Sequence, residues 1–138
     1  MTPEENTDKA QTTTGVSVPS KPSGLTRVWK ALFHSMEGLG AAFKHEAAFR
    51  QEVFAAVFLV PAALLLPLGT VEKVLLIGAV LLVLIAELLN TAVENCIDYI
   101  SFDKHPFAKR AKDIGSAAVF LSLVNCALAW VLILATAW

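Results

Sequence analysis

Apolar and polar positions change pattern four times along the chain. Residues 1–23 (MTPEENTDKAQTTTGVSVPSKPS) mix Thr, Ser, Pro and charge and contain no apolar run. Such a segment cannot bury enough surface to offset its ordering entropy, so a disordered tail is expected there. Lacking an apolar h-region, it does not read as a signal peptide. From Leu25 onward apolar and charged residues interleave. Leu25, Val28, Trp29, Leu32, Phe33, Met36, Leu39 and Phe43 fall on one stripe at spacings of three and four, with Arg27, Lys30, Glu37 and Lys44 largely off it. This predicts an amphipathic helix over about residues 25–50. Beside membrane spans such a helix lies in the interface; a soluble core helix carries the same pattern.

Val53 to Val71 is free of charge and holds Pro61 and Pro67. A span over about 53–69 is expected, closed by the turn Leu66-Pro67-Leu68-Gly69-Thr70. The second span, about 74–96, has only thirteen uncharged residues between Lys73 and Glu87. A full crossing must therefore carry Glu87, and with it Asn90, into or near the membrane. Residues 95–113 read as a polar loop with Lys104, Lys109, Arg110 and Lys112. A third span over about 114–137 follows, inside a stretch of twenty-five residues without charge from Ile114 to Trp138; a crossing helix needs about 20. The fold class expected is an all-α membrane protein: three transmembrane helices and a surface helix in one domain, 24–138.

Composition agrees. Charged residues make up 17% of the 138, against roughly a quarter in soluble domains. A net charge of −1 excludes the clustered basic excess of a nucleic-acid binder. Two cysteines, Cys96 and Cys126, are too few for a disulfide framework. Positive charge sets an orientation: Lys21, Arg27, Lys30, Lys44 and Arg50 precede the first span and four more follow the second, whereas the loop between them has only Lys73. The positive-inside rule then places the N-terminus in the cytosol and the C-terminus outside, with Trp138 at the outer interface.

Candidate chemistry gathers in three clusters. Glu87, Asn90, Thr91 and Glu94 stand at i, i+3, i+4 and i+7, one helix face, which Asp98 extends. An intramembrane acid costs on the order of 3 kcal/mol to insert, so Glu87 points to a use; Asp98 and Glu94 also fit a solvated helix end. Glu46 and Arg50 form an i, i+4 pair in Glu46-Ala47-Ala48-Phe49-Arg50-Gln51-Glu52, which alone would be a weak surface pair. Lys109-Arg110-Ala111-Lys112-Asp113 opens the third span, where basic residues also serve orientation. Together the clusters supply acidic oxygens suited to magnesium, a carboxylate base and cations for phosphate, the parts of a phosphoryl-transfer site. A carboxylate partly stripped of water takes up a proton more readily, as a base must. No GxxxxGKS/T loop, HRD or DFG occurs, and Gly38-Leu39-Gly40 carries almost no weight.

The strings Glu46-Ala-Ala-Phe-Arg-Gln-Glu52, Glu87-Leu-Leu-Asn-Thr-Ala-Val-Glu94 and Ala111-Lys-Asp-Ile-Gly-Ser-Ala-Ala118 resemble the prokaryotic integral-membrane diacylglycerol kinases, from about Gly24 to Trp138. Undecaprenol kinase, of the same superfamily, shares the second string and AKD, but AAFRQE and GSAA are closer to the diacylglycerol enzymes. The resemblance implies a homotrimer in the bacterial inner membrane that transfers the γ-phosphate of MgATP to diacylglycerol, giving phosphatidic acid in phospholipid recycling. It implies Glu87 as general base with Asn90 beside it, and Glu46 and Glu94 as magnesium and ATP ligands. Further nucleotide contacts implied are Arg27, His34, Asp103, Lys104, His105, Lys112 and Asp113. For the lipid they are Arg27, Ala48, Phe49, Arg50, Gln51, Glu52, Glu87, Ser116 and the region Trp130 to Ala135. The chain departs from common family residues at His34, Gly40, Phe43 and Leu65. Three helices look too few to enclose the acidic face on all sides, which also favours an oligomer. Two alternatives remain open: undecaprenol as the acceptor, and a non-catalytic membrane subunit with Glu87 and Glu94 lining an ion path.

Overall fold

The computed structural model describes residues 24–100 and 105–137; the expected tail, Asp103, Lys104 and Trp138 lie outside the described residues. Four helices follow one another: α1 (Gly24–His45), α2 (Ala47–Leu65), α3 (Thr70–Ile100) and α4 (Pro106–Thr136). No strand occurs among the described residues. The last three helices are long and apolar enough to cross a membrane, so the expected all-α membrane fold is present.

The first helix stops at His45, five residues short of the expected end near residue 50. Glu46 adopts an extended backbone, φ −102° and ψ 116°, and breaks the chain into two helices. The break strips the last carbonyls of α1 of helical partners. Arg50 reaches back from α2 and donates through Nη1 to the carbonyls of Phe43, at 3.2 Å, and Lys44, at 3.1 Å. The segment Ala47–Glu52 therefore belongs to the first spanning helix. The apolar stripe of α1 stays exposed in the single chain, including Leu25, Trp29, Phe33 and Met36; on α1 only Ala42 is buried.

The turn between α2 and α3 is where the sequence puts it. Leu66 is extended ahead of Pro67, as the residue before proline prefers. Lys73 Nζ closes the connection by donating to the Leu64 carbonyl at 2.7 Å.

At the opposite end the expected polar loop, 95–113, is mostly helix. α3 runs to Ile100 and α4 starts at Pro106, each 31 residues, or about 46 Å against a hydrocarbon core of about 30 Å. Polarity keeps these ends out of lipid without opposing helix formation, so both helices continue into water. Pro106 occupies the first turn, where a missing N–H costs nothing, and His105 Nδ1 accepts from the Phe107 N–H at 3.3 Å.

α3 packs against both α2 and α4. Its buried line is Leu76, Ala79, Val80, Val83 and Glu87. Four apolar side chains thus lead along one face to a carboxylate. Glu87 stands seventeen residues into α3, about 26 Å from its start, level with the first turn of the antiparallel α2. The N-terminus of α2, the C-terminal third of α3 and the N-terminus of α4 share one end of the bundle.

Candidate active site

Glu87 is 6% exposed. α2 and α4 flank α3 closely enough to cover its stripe as far as Glu87. Asn90 and Glu94, one and two turns further on, stay half-buried. The Asn90 amide donates through Nδ2 to Glu94 Oε1 at 3.1 Å. Glu46 shares a groove with Leu88 and Thr91, next to Glu87 on α3, and Glu94 stands two turns beyond Glu87 on that helix. Three of the acids singled out in the sequence therefore stand at the same end of the bundle.

Glu52 joins them. Its Oε2 is buried with no hydrogen-bond partner. Glu52 follows Phe49, which is 3% exposed, by three residues and so shares its inward face.

The single polar face expected on α3 divides in two. Thr91 lines a groove of about 680 Å³ between α1 and α3, with Ser35, His45, Glu46 and Asn95. Asn90 lines a second groove of about 680 Å³ between α3 and α4, with Gly115, Ser122 and Asn125 among mainly apolar walls. Adjacent helical residues point about 100° apart, which is enough to send neighbours to different grooves.

The cationic cluster on α4 is already paired. Lys112 Nζ donates to Asp98 Oδ1 at 2.6 Å, joining α4 to α3 beyond the buried acids, and Lys109 Nζ donates to Asp113 Oδ2 at 2.6 Å along α4. His105 caps α4 and stacks on Phe107, whose ring also lies 5.3 Å from the Arg110 guanidinium. On α1, Arg27 is exposed, and His34 Nδ1 lies 3.3 Å from Glu37 Oε2; neither lines either of these two grooves. Ala48, Gln51 and Ser116 are exposed and Arg50 is half-buried. Trp130 has its Nε1 buried without an acceptor, fifteen residues or about 22 Å along α4 from Gly115, well away from Glu87.

The arrangement can withdraw a proton at a buried carboxylate, with further carboxylates alongside and two cation pairs at the aqueous rim. Among the described residues no three acidic, His or Cys side chains converge into a metal cage. The donors that are present are hard carboxylate oxygens. Glu46 makes no capping hydrogen bond with its side chain, and a single Glu94 oxygen is engaged by Asn90. That set suits magnesium, which takes one or two protein carboxylates and completes its shell with phosphate and water.

Comparison with known proteins gives a consistent result. The model of the family described as prokaryotic diacylglycerol kinase matches residues 33–134. The chain is 46% identical over 112 residues to the diacylglycerol kinase of Pseudomonas aeruginosa, covering 81% of this chain and 91% of the relative. It is 44% identical over 110 residues to that of Haemophilus influenzae, covering 80% and 93%. With that of Escherichia coli K12 the identity is 43% over 112 residues, covering 81% and 92%. The match takes in the buried Glu87, the Asn90–Glu94 pair and the α4 cations, and the chain belongs to the prokaryotic diacylglycerol kinase family.

Proposed function

We propose that the protein transfers the γ-phosphate of ATP to the free hydroxyl of diacylglycerol, giving phosphatidic acid and ADP. The observation that carries the reading is a carboxylate, Glu87, buried level with the first turn of α2, with Glu46, Glu52 and Glu94 at the same end of the bundle. A lipid hydroxyl arrives at the headgroup plane, so a base acting on it must sit at that depth. In this reading Glu87 takes the hydroxyl proton as the oxygen attacks the γ-phosphorus. The bond from that phosphorus to the bridging oxygen breaks, and ADP leaves with the electron pair. Asn90 holds Glu94 through its amide. Magnesium held by Glu46 and Glu94 would neutralise phosphate charge, where most of the catalysis of this reaction lies.

Lys112 and Asp113, with Arg27, His34, Asp103, Lys104 and His105, serve the nucleotide, which approaches from the aqueous rim. Ala48, Arg50, Gln51, Arg27 and Ser116 serve the lipid headgroup region, whereas Phe49 is 3% exposed and packs inside the protein. Trp130 is too far along α4 for that and meets an acyl chain instead. The exposed stripe of α1 lies on the bilayer surface. The protein works as a homotrimer in the inner membrane, with its N-terminus cytosolic and its C-terminus outside.

The test is a lipid comparison with radiolabelled ATP on purified protein. Diacylglycerol is phosphorylated and undecaprenol is not; the reverse outcome would replace the substrate. Glu87→Gln keeps the helical circular dichroism and loses turnover by about 10²-fold or more. Near-normal turnover in that variant removes the assigned base.

A further inference from the structure

Gly115, on α4, lies directly against Asn90. A methyl group added to its Cα would collide with Asn90 Oδ1, press on Cγ at 3.3 Å and touch Cα at 3.8 Å. Gly24, Gly38, Gly40 and Gly78 have nothing within 4 Å of the same added group. Its φ is not positive, so conformational freedom does not explain glycine at this position; space does.

Asn90 Oδ1 is buried and accepts no hydrogen bond. The other end of the amide donates to Glu94 Oε1. Rotating the amide by half a turn would set two acceptors against each other, so the observed orientation matters to Glu94, and packing alone holds the Oδ1 side. The geometry points to Gly115 as a positioning residue: its bare Cα leaves room for Asn90 Oδ1 and keeps the amide aimed at Glu94. This rests on the reading of Asn90 and Glu94 as parts of the phosphoryl-transfer site.

The experiment is a double-mutant cycle of Gly115→Ala and Asn90→Ala, with Gly78→Ala as control. Initial rates are taken with MgATP and diacylglycerol, and the Asn90 side-chain amide is followed by ¹⁵N NMR, its signal identified by its loss in Asn90→Ala. Gly115→Ala moves the amide signal and lowers kcat about tenfold, with KM for both substrates within about twofold. In the Asn90→Ala background it costs nothing further, because the atom it strikes is gone. Gly78→Ala changes neither readout. An unmoved amide signal, an unchanged kcat, or a further tenfold loss in the double variant overturns the assignment. Should Gly115→Ala fail to fold, the double variant folds if the clash is with the Asn90 side chain, and its failure to fold also overturns it. Wild-type protein inactive on diacylglycerol would instead remove the functional reading, while the amide signal still decides the packing.

Discussion

Lys112 and Asp98 show how an interaction's structural and chemical weights can differ. Their ion pair is short, 2.6 Å, yet the two side chains are 36% and 43% exposed. Water screens such a pair to a net value of about 0–1 kcal/mol. Lys112→Met should therefore move stability by less than about 1 kcal/mol, read from unfolding in detergent, while phosphoryl transfer falls by about tenfold or more. Equal losses in both measurements would make Lys112 a structural residue. Glu87 is the contrasting case: at 6% exposure, among other acids, its burial costs free energy. A group kept under that cost fits the proton-accepting role proposed for it.

Among the elements, the junction of α1 and α2 is the informative one. Residues 25–52 carry a nearly continuous helical period, and nothing local marks Glu46 as a break. What holds the break is Arg50, four residues on, which satisfies the carbonyls of Phe43 and Lys44. Arg50→Ala leaves these exposed carbonyls to water and should loosen α1 by about 1 kcal/mol. The expected signature is faster amide exchange across the last turn of α1 with α3 unaffected; unchanged protection would show that the junction is held elsewhere. The extension of α3 and α4 past the membrane was hidden for a different reason. A run of Lys, Arg and Asp reads as the end of a span, and a span's end need not be the helix's end.

For the whole molecule, the orientation proposed for the three spanning helices and their polar end can be measured. Cys96 is exposed, near the end of α3 that holds the acids. A membrane-impermeant maleimide should label it in inside-out vesicles and not in spheroplasts; the opposite result reverses the topology. Native mass spectrometry of the same protein in detergent should give three protomers, and a stable monomer that retains full activity would end the trimer reading.

Order, spacing and amphipathicity determined the three apolar segments, the surface stripe from Leu25 to Phe43, the turn at Leu66–Thr70, and the placing of Glu46, Glu87, Glu94 and Lys112 at one membrane face. These follow from short-range periodicity, which fixes what one helix presents to its surroundings. Only the tertiary structure decided that Asn90 and Thr91 open into different grooves, that Glu52 enters the acidic group, that Lys112 pairs with Asp98, and that Gly115 makes room for an amide on another helix. Each of these depends on the rotation and depth of one helix against its neighbour. Those are set by the packing of facing side chains, and no single helix carries them in its own sequence.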